Sequence, residues 1–498
     1  MKKTLLSAAA LLMALTACNK EPVGGSAVDS GSVYMQFSVN MLSTRSQTDG
    51  EGDSNSNATP DIEVGLDKEN TISTVDIALV GPGSTVVAAN VTPTAANAST
   101  YVAKFDTKAL VAGTKYKVYI YANCSAPAAV DVDAVSEASV AEMTADNKFW
   151  MTNAYAAADV TLPKDLAAYT QPNTPLSLGS HTVERSMARF DYKAKNAGNV
   201  YDMGAGLSLT LTEAALINQS KAHYVFRRVT TSDTDNTPVV GGIETPNNWV
   251  IDTDWESKTK AGFNAQLEVP ANWSWTSLSG LTANDNYDGD YKIWCYAKEN
   301  TLPTIDAQKH DVSTGVVFKA EITAGETASA EVKAALASGD RIYVFNNKLY
   351  GTWADVKTAA VAGTDANLQA AYNQAAAGLE ADVEPDAAVA AAAGFTGYSA
   401  EGGKYYTYYY YWNRHNDNLD PYNMGIMEFA VVRNNVYKLC VESISKFGHP
   451  TPPTDPTHPT DPDPDPVDPD DPDESVNYYF TVTVKVLPWT VRINNIEF

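Results

Sequence analysis

Cysteine, histidine and positive charge are all scarce in this 498-residue chain. Of four cysteines, Cys18 belongs to an N-terminal motif taken up below, leaving Cys124, Cys295 and Cys440. An odd number cannot pair completely within one chain. Each lies in a strand-like run such as Ile293-Trp294-Cys295-Tyr296, so the three are expected as small buried hydrophobes and a disulfide framework is not indicated. The six histidines (His181, His223, His310, His415, His449 and His458) are scattered without metal-ligand spacing. No Gly-x-Ser-x-Gly elbow, phosphate loop, dinucleotide fingerprint or His-Glu-x-x-His motif occurs. Lys and Arg number 35 against 60 Asp and Glu, a net charge of −25, which argues against nucleic acid or an anionic membrane surface as a partner. No catalytic residue, metal site or cofactor is expected. Asp285-Asn286-Tyr287-Asp288-Gly289-Asp290 superficially has the look of a calcium loop, but Tyr296 stands at the twelfth position, where a closing glutamate is needed. A polar turn between strands is the better reading, and Asp252-Thr253-Asp254 and Asp233-Thr234-Asp235 are weaker still.

Long apolar runs are missing too, except at the start. Lys2 and Lys3 precede Leu5 to Leu15, an apolar stretch too short to span a bilayer. Leu15-Thr16-Ala17-Cys18 then resembles the bacterial lipobox, in which Cys18 is lipidated and becomes the mature N-terminus. Residues 1–17 therefore read as a lipoprotein signal peptide, 18–45 as a lipidated propeptide, and the product as a lipoprotein of the cell envelope.

What is abundant is β-forming sequence, with 27 Tyr and many Val and Thr, in a chain long enough for two domains. Strands are expected at 73–80, 101–105, 115–122 and 149–154, separated by turn-rich segments, in an N-terminal β-sandwich over 46–182. Val183 to Tyr192 opens a second β-sandwich domain over 183–498, with further strands at 207–211, 292–298, 316–322 and 341–345. An Ala-rich stretch, Thr352 to Ala393, predicts a helical insertion with its main helix over Asn367–Ala381, ended or interrupted by Pro385. The aromatic run Tyr405–Trp412 follows; stacking on sugars is one use for it, core packing the commoner one. Met427–Val432 and Val436–Val441 are read as flanking an Asn434-Asn435 turn.

The two ends of the chain carry its cleanest strands. Val33, Met35, Phe37, Val39 and Met41 alternate with polar residues, and the run closes on Leu42-Ser43-Thr44-Arg45 before an apolar-poor stretch. At the other end, Pro450 to Asp473 is almost wholly Pro, Asp and Thr, an extended tether. Behind it, over 476–498, Tyr478 to Val486 alternates, and after Pro488 so do Trp489, Val491 and Ile493. A sheet edge invites an added strand. If the first strand fills a groove in its own fold, a trypsin-like cut at Arg45-Ser46 frees that groove for a neighbour's C-terminal strand, with Trp489, Val491 and Ile493 expected as the donated residues. About five buried apolar side chains give a gross gain on the order of 10 kcal/mol. Head-to-tail insertion does not close on itself and builds a filament.

At this point the sequence resembles the fimbrillins, major subunits of the short fimbriae (type V pili) of Bacteroidota. The resemblance rests on the Leu15-to-Cys18 lipobox, the strand ending at Arg45, and Val183-Glu184-Arg185 through Arg189-Phe190-Asp191. It also rests on the run from Tyr408 to Asp417, Val432-Arg433-Asn434-Asn435-Val436-Tyr437-Lys438-Leu439, and the Val486-Leu487-Pro488-Trp489-Thr490-Val491 ending. It implies two transthyretin-like β-sandwich domains and a palmitate-bearing precursor at the outer membrane. It further implies release of the first strand by an arginine-specific protease after Arg45, and head-to-tail polymerisation by donor-strand exchange into an adhesive stalk. Implied partners are further copies of the chain, accessory fimbrial subunits, and host or bacterial surface receptors. A minor, tip or anchor subunit is one alternative; a monomeric glycan-binding surface lipoprotein, supported by the tyrosine run, is another. Arg185 and Arg189 are discounted as cut sites because they start a predicted strand.

Overall fold

In a computed structural model of the chain, the described residues are 31–42, 63–95, 98–232, 237–242, 248–283, 291–302, 304, 307–380, 383–415, 424–452 and 480–490, with only the backbone at 63–64, 282–283 and 480–490. The architecture is mainly β. The strands that build the two large cores are β1 (Ser32–Met41), β2 (Glu63–Val64), β3 (Val75–Gly81), β4 (Ser84–Val91), β5 (Thr100–Asp106), β6 (Lys115–Ala122), β7 (Met151–Asn153), β8 (Ala158–Thr161) and β9 (Leu176–Arg185). They continue with β10 (Ala188–Ala194), β11 (Val200–Gly204), β12 (Leu207–Ile217), β13 (Lys292–Ala297), β14 (Gly315–Ala324), β15 (Tyr405–Trp412), β16 (Asn435–Ile444) and β17 (Phe480–Thr490).

The first sheet runs β4-β3-β6-β7-β9-β1-β5, with β8 beside β6. Its two end strands are linked by a Pro93–Tyr101 bridge, so the sheet folds over on itself and encloses one core. Val33, Met35 and Phe37 of β1 meet Ile77, Leu79, Val118 and Ile120 there. The second body is a two-sheet sandwich: β2-β17-β16-β10-β13 faces β11-β12-β14-β15. Phe190, Tyr192, Tyr437 and Leu439 from one sheet pack on Leu209, Phe318, Tyr405 and Tyr409 from the other.

The run Val183–Tyr192, expected as a single opening strand, is two. β9 ends at Arg185 in the first sheet, and after Ser186-Met187 β10 begins in the second. The break was hidden because Glu184, Arg185, Arg189 and Asp191 are buried along with their apolar neighbours, which erases the alternation that marks strand limits.

Between β14 and β15 the chain forms α1 (Ala330–Ser338), α2 (Trp353–Val361), α3 (Ala366–Ala375) and α4 (Ala387–Ala392). Asp365 caps α3 by accepting from the Asn367 and Leu368 amides, and Pro385 sits just ahead of α4. The helices share a small core of Tyr343, Trp353, Val356, Leu368 and Phe395. The aromatic run is β15, and it is covered on both sides: Tyr405 and Tyr409 enter the sandwich core, while Tyr408 and Trp412 pack with Phe263 and Trp273. Met427–Val432, read as one flank of the Asn434-Asn435 turn, is an irregular, buried segment with Met427 at φ 60°. Asn434 takes the turn at φ 58° and Asn435 already opens β16.

Candidate functional site

β1 is an inside strand. It runs parallel to β9, from Met35 opposite Leu176 to Met41 opposite Val183, and antiparallel to β5, from Ser32 opposite Asp106 to Ser38 opposite Thr100. The period-2 pattern sends Val33, Met35, Phe37 and Val39 into the core, none more than 3% exposed, while Met41 is half-buried. Phe37 has the largest seat. Its ring stacks on Tyr101 at 5.4 Å and meets His181 edge-on at 6.5 Å. Burial holds His181 below its usual imidazole range, and its buried Nε2 has no hydrogen-bond partner. At Phe37 the parallel pairing slips: Gln36 pairs Ser177 but Phe37 pairs Gly179, so β9 carries an extra residue, Leu178. Gly179, at φ +86°, supplies the backbone geometry this bulge needs. Leu42 closes the seat: its amide donates to the Val183 carbonyl at 2.7 Å and its side chain is buried.

Taking β1 away would strip β5 and β9 of a partner strand each and open the core along the whole row. Two strand spacings, roughly 10 Å, separate β5 from β9, which is the width of one added strand.

Of the other residues singled out, Cys18, Arg45, Ser46, Val491 and Ile493 lie outside the described residues. Trp489 lies on β17, opposite Glu63. The rest of β17 pairs antiparallel with β16, from Phe480 opposite Ile444 to Pro488 opposite Asn435. The chain has nine arginines, and the seven described ones are all withdrawn from solvent. Arg185, Arg189, Arg227, Arg228 and Arg433 are buried, and Arg341 and Arg414 are half-buried.

Arg185 and Arg189 belong to a polar network at the junction of the two bodies, which no local sequence pattern marks. A short helix, Asp67–Asn70, follows β2 and brings in Glu69. One Glu69 oxygen accepts from Arg189 Nη1 at 2.9 Å and from the Leu66 amide at 2.6 Å; the other accepts from the Tyr296 hydroxyl at 2.6 Å. Arg189 also donates twice to Asp191, at 2.8 and 2.7 Å. Arg185 donates to the Glu69 carbonyl at 3.3 Å, to Asn434 at 3.3 Å and to Asn70; burial pulls its guanidinium down to about 9, partly offset by Glu69. A second buried group sits alongside, with Glu184 paired to Arg227 and Arg433 to Glu299 at 2.6 Å. There burial pushes the Glu184 carboxyl up to about 7, against the pull of Arg227 and Arg433.

His310, His415, Asp252 and Asp254 have structural partners. His310 stacks on Trp412 at 4.6 Å, and His415 bonds the Tyr437 hydroxyl at 2.8 Å. Lys258 bridges Asp252 and Asp254, and Asp252 also accepts from the Thr301 amide at 2.7 Å. No group of acids, histidines or cysteines able to hold a metal occurs among the described residues. The Asp285–Asp290 and Asp233–Asp235 segments lie outside them. Cys124, Cys295 and Cys440 form no disulfide and are buried or half-buried, and burial pushes Cys124 up to about 12.

Residues 403–495 match the family model for the C-terminal region of fimbrillin, the major fimbrial subunit protein type IV. The matched stretch, which holds β15, β16 and β17, makes the C-terminal part of the chain fimbrillin-like. Among solved structures it is similar to a fimbrilin, FimA, from Porphyromonas gingivalis, at 14% identity over 93% of this chain and 99% of that one, with a TM-score of 0.39. It is also similar to the tip fimbrial protein Mfa3 from Porphyromonas gingivalis, determined with a C-terminal truncation, at 10% identity over 92% and 100%, with a TM-score of 0.36. No curated protein matches.

Proposed function

We propose that this chain is the polymerising stalk subunit of a surface fimbria. It is exported as a lipoprotein through Cys18, cut after Arg45, and assembled by insertion of one subunit's C-terminal strand into the next subunit's β1 seat. The observation that carries the reading is β1 itself: a strand with four buried apolar side chains and partners on both edges, followed three residues after Leu42 by an arginine. Burial shields the seven described arginines from such a cut. A tip subunit has no use for a strand to donate, so the alternating run over 476–498 favours the stalk over a tip subunit. A monomeric glycan binder is disfavoured because Tyr405, Tyr408 and Tyr409 are used in packing.

Purified precursor treated with an arginine-specific protease should lose residues up to Arg45 and then form a ladder of SDS-resistant oligomers. Arg45→Ala should leave it monomeric. A wild-type protein that is trimmed at Arg45 and stays monomeric would sink the proposal.

A further inference from the structure

Resting on that reading, we infer that the donated strand enters the seat with a one-residue phase shift, so that Val491, Ile493, Ile496 and Phe498 replace Val33, Met35, Phe37 and Val39. The exit point comes first. β17 pairs through Thr490, which lies opposite Val64, and β2 is fastened by the buried Glu69 five residues further on. Trp489 and Thr490 are thus held in their own subunit, and donation begins at Val491. The stretch that follows, Val491-Arg492-Ile493-Asn494-Asn495-Ile496-Glu497-Phe498, carries four apolar residues against four fully buried seats.

The spacing fits only with a shift. The seats of β1 recur every second residue, whereas Ile493 and Ile496 are three apart. That extra residue falls at the step from Met35 to Phe37, where β9 also advances three residues, from Leu176 to Gly179. Running in β1's direction, the donated strand would keep pace with β9 where β1 does not. The surplus residue would then lie against β5, which advances only from Ala103 to Tyr101. Bulges are common between antiparallel strands and rare between parallel ones, so the mismatch moves to where it is best tolerated. Asn494-Asn495 suits a bulge, since Asn is enriched among residues at positive φ. In this fold eight of the eleven described non-glycine residues at positive φ are Asn.

Unshifted placements are worse. Keeping Val491 in the first seat sends Asn495 and Glu497 into the seats of Phe37 and Val39, burying an amide and a carboxylate among apolar groups. Starting instead at Trp489 detaches β17 from β2 and still puts Asn495 in the seat of Val39.

Disulfide trapping distinguishes these. Ser38 lies opposite Thr100, facing away from the core, and opposite pairs on adjacent strands are within disulfide reach. Full-length subunits carrying Thr100→Cys plus one of Glu497→Cys, Asn494→Cys or Ile496→Cys are cut after Arg45, polymerised, oxidised, and boiled in SDS without reductant. Thr100→Cys alone controls for the native thiols. The shifted register predicts a covalent ladder with Glu497→Cys. Crosslinking with Asn494→Cys or Ile496→Cys, or with none of the three in subunits that do polymerise, overturns it. Failure of uncrosslinked wild type to form SDS-resistant ladders removes the exchange reading itself.

Discussion

His181 is the residue on which the strength of the β1 seat depends most directly on pH. It lies edge-on to Phe37, its buried Nε2 lacks a partner, and burial depresses its pKa below the ordinary 6.5. The folded state therefore prefers the neutral imidazole. The stability this contributes is present above pH 6.5 and is lost as the pH falls through the depressed folded value. His181→Leu should leave the precursor's urea stability nearly unchanged at pH 7.5. At pH 5 the variant should be measurably more stable than wild type, because it has no buried imidazole to protonate. An equal difference at both pH values would show that protonation of His181 plays no part. The Glu184 carboxyl, pushed up to about 7, works in the opposite sense: its contribution is greatest at low pH and declines as the pH rises towards that value. Comparing variant with wild type at each pH cancels it.

At the scale of the element, β1 has a different standing before and after the proposed exchange. Phe37→Ala removes a stacked ring from a closed core, and such truncations cost about 3–5 kcal/mol. The precursor should be destabilised by that amount in chemical denaturation. Polymer assembled from cleaved subunits, which have discarded β1, should dissociate at the wild-type temperature. A polymer weakened in step with the precursor would mean that β1 is retained. This strand was legible in the sequence because one face is buried and the other is not, so alternation survives. The same test fails for Val183–Tyr192, whose two strands are buried on both faces, and for Met427–Val432, where apolar residues fill an irregular segment. The helix carrying Glu69 is four residues long, too short for any periodic signal, and nothing local marks its glutamate as buried.

At the scale of the molecule, Glu69, Arg185, Arg189 and Asp191 tie the first sheet, the second sandwich and the segment following β2 into one unit. Removing one member of a buried charge network leaves another unpaired. Glu69→Ala should therefore cost about 3 kcal/mol, towards the lower end because Asp191 still holds Arg189 by two bonds. A loss under about 0.5 kcal/mol in urea unfolding would show that the network adds nothing to stability. The network also explains why a resemblance-bearing motif such as Arg185 to Asp191 is unsuited to cleavage: its arginines are consumed in holding the two bodies together. The amino-acid sequence by itself determined the β class, the alternating strands at both ends and the arginine placed after the first of them, since period, composition and order along the chain are local properties. Only the tertiary structure decided that β1 sits between β5 and β9, that β9 bulges opposite Phe37, that Trp489 pairs with Glu63, and which arginines are hidden. Pairing partners, register and burial depend on residues distant in sequence, and no local pattern encodes them.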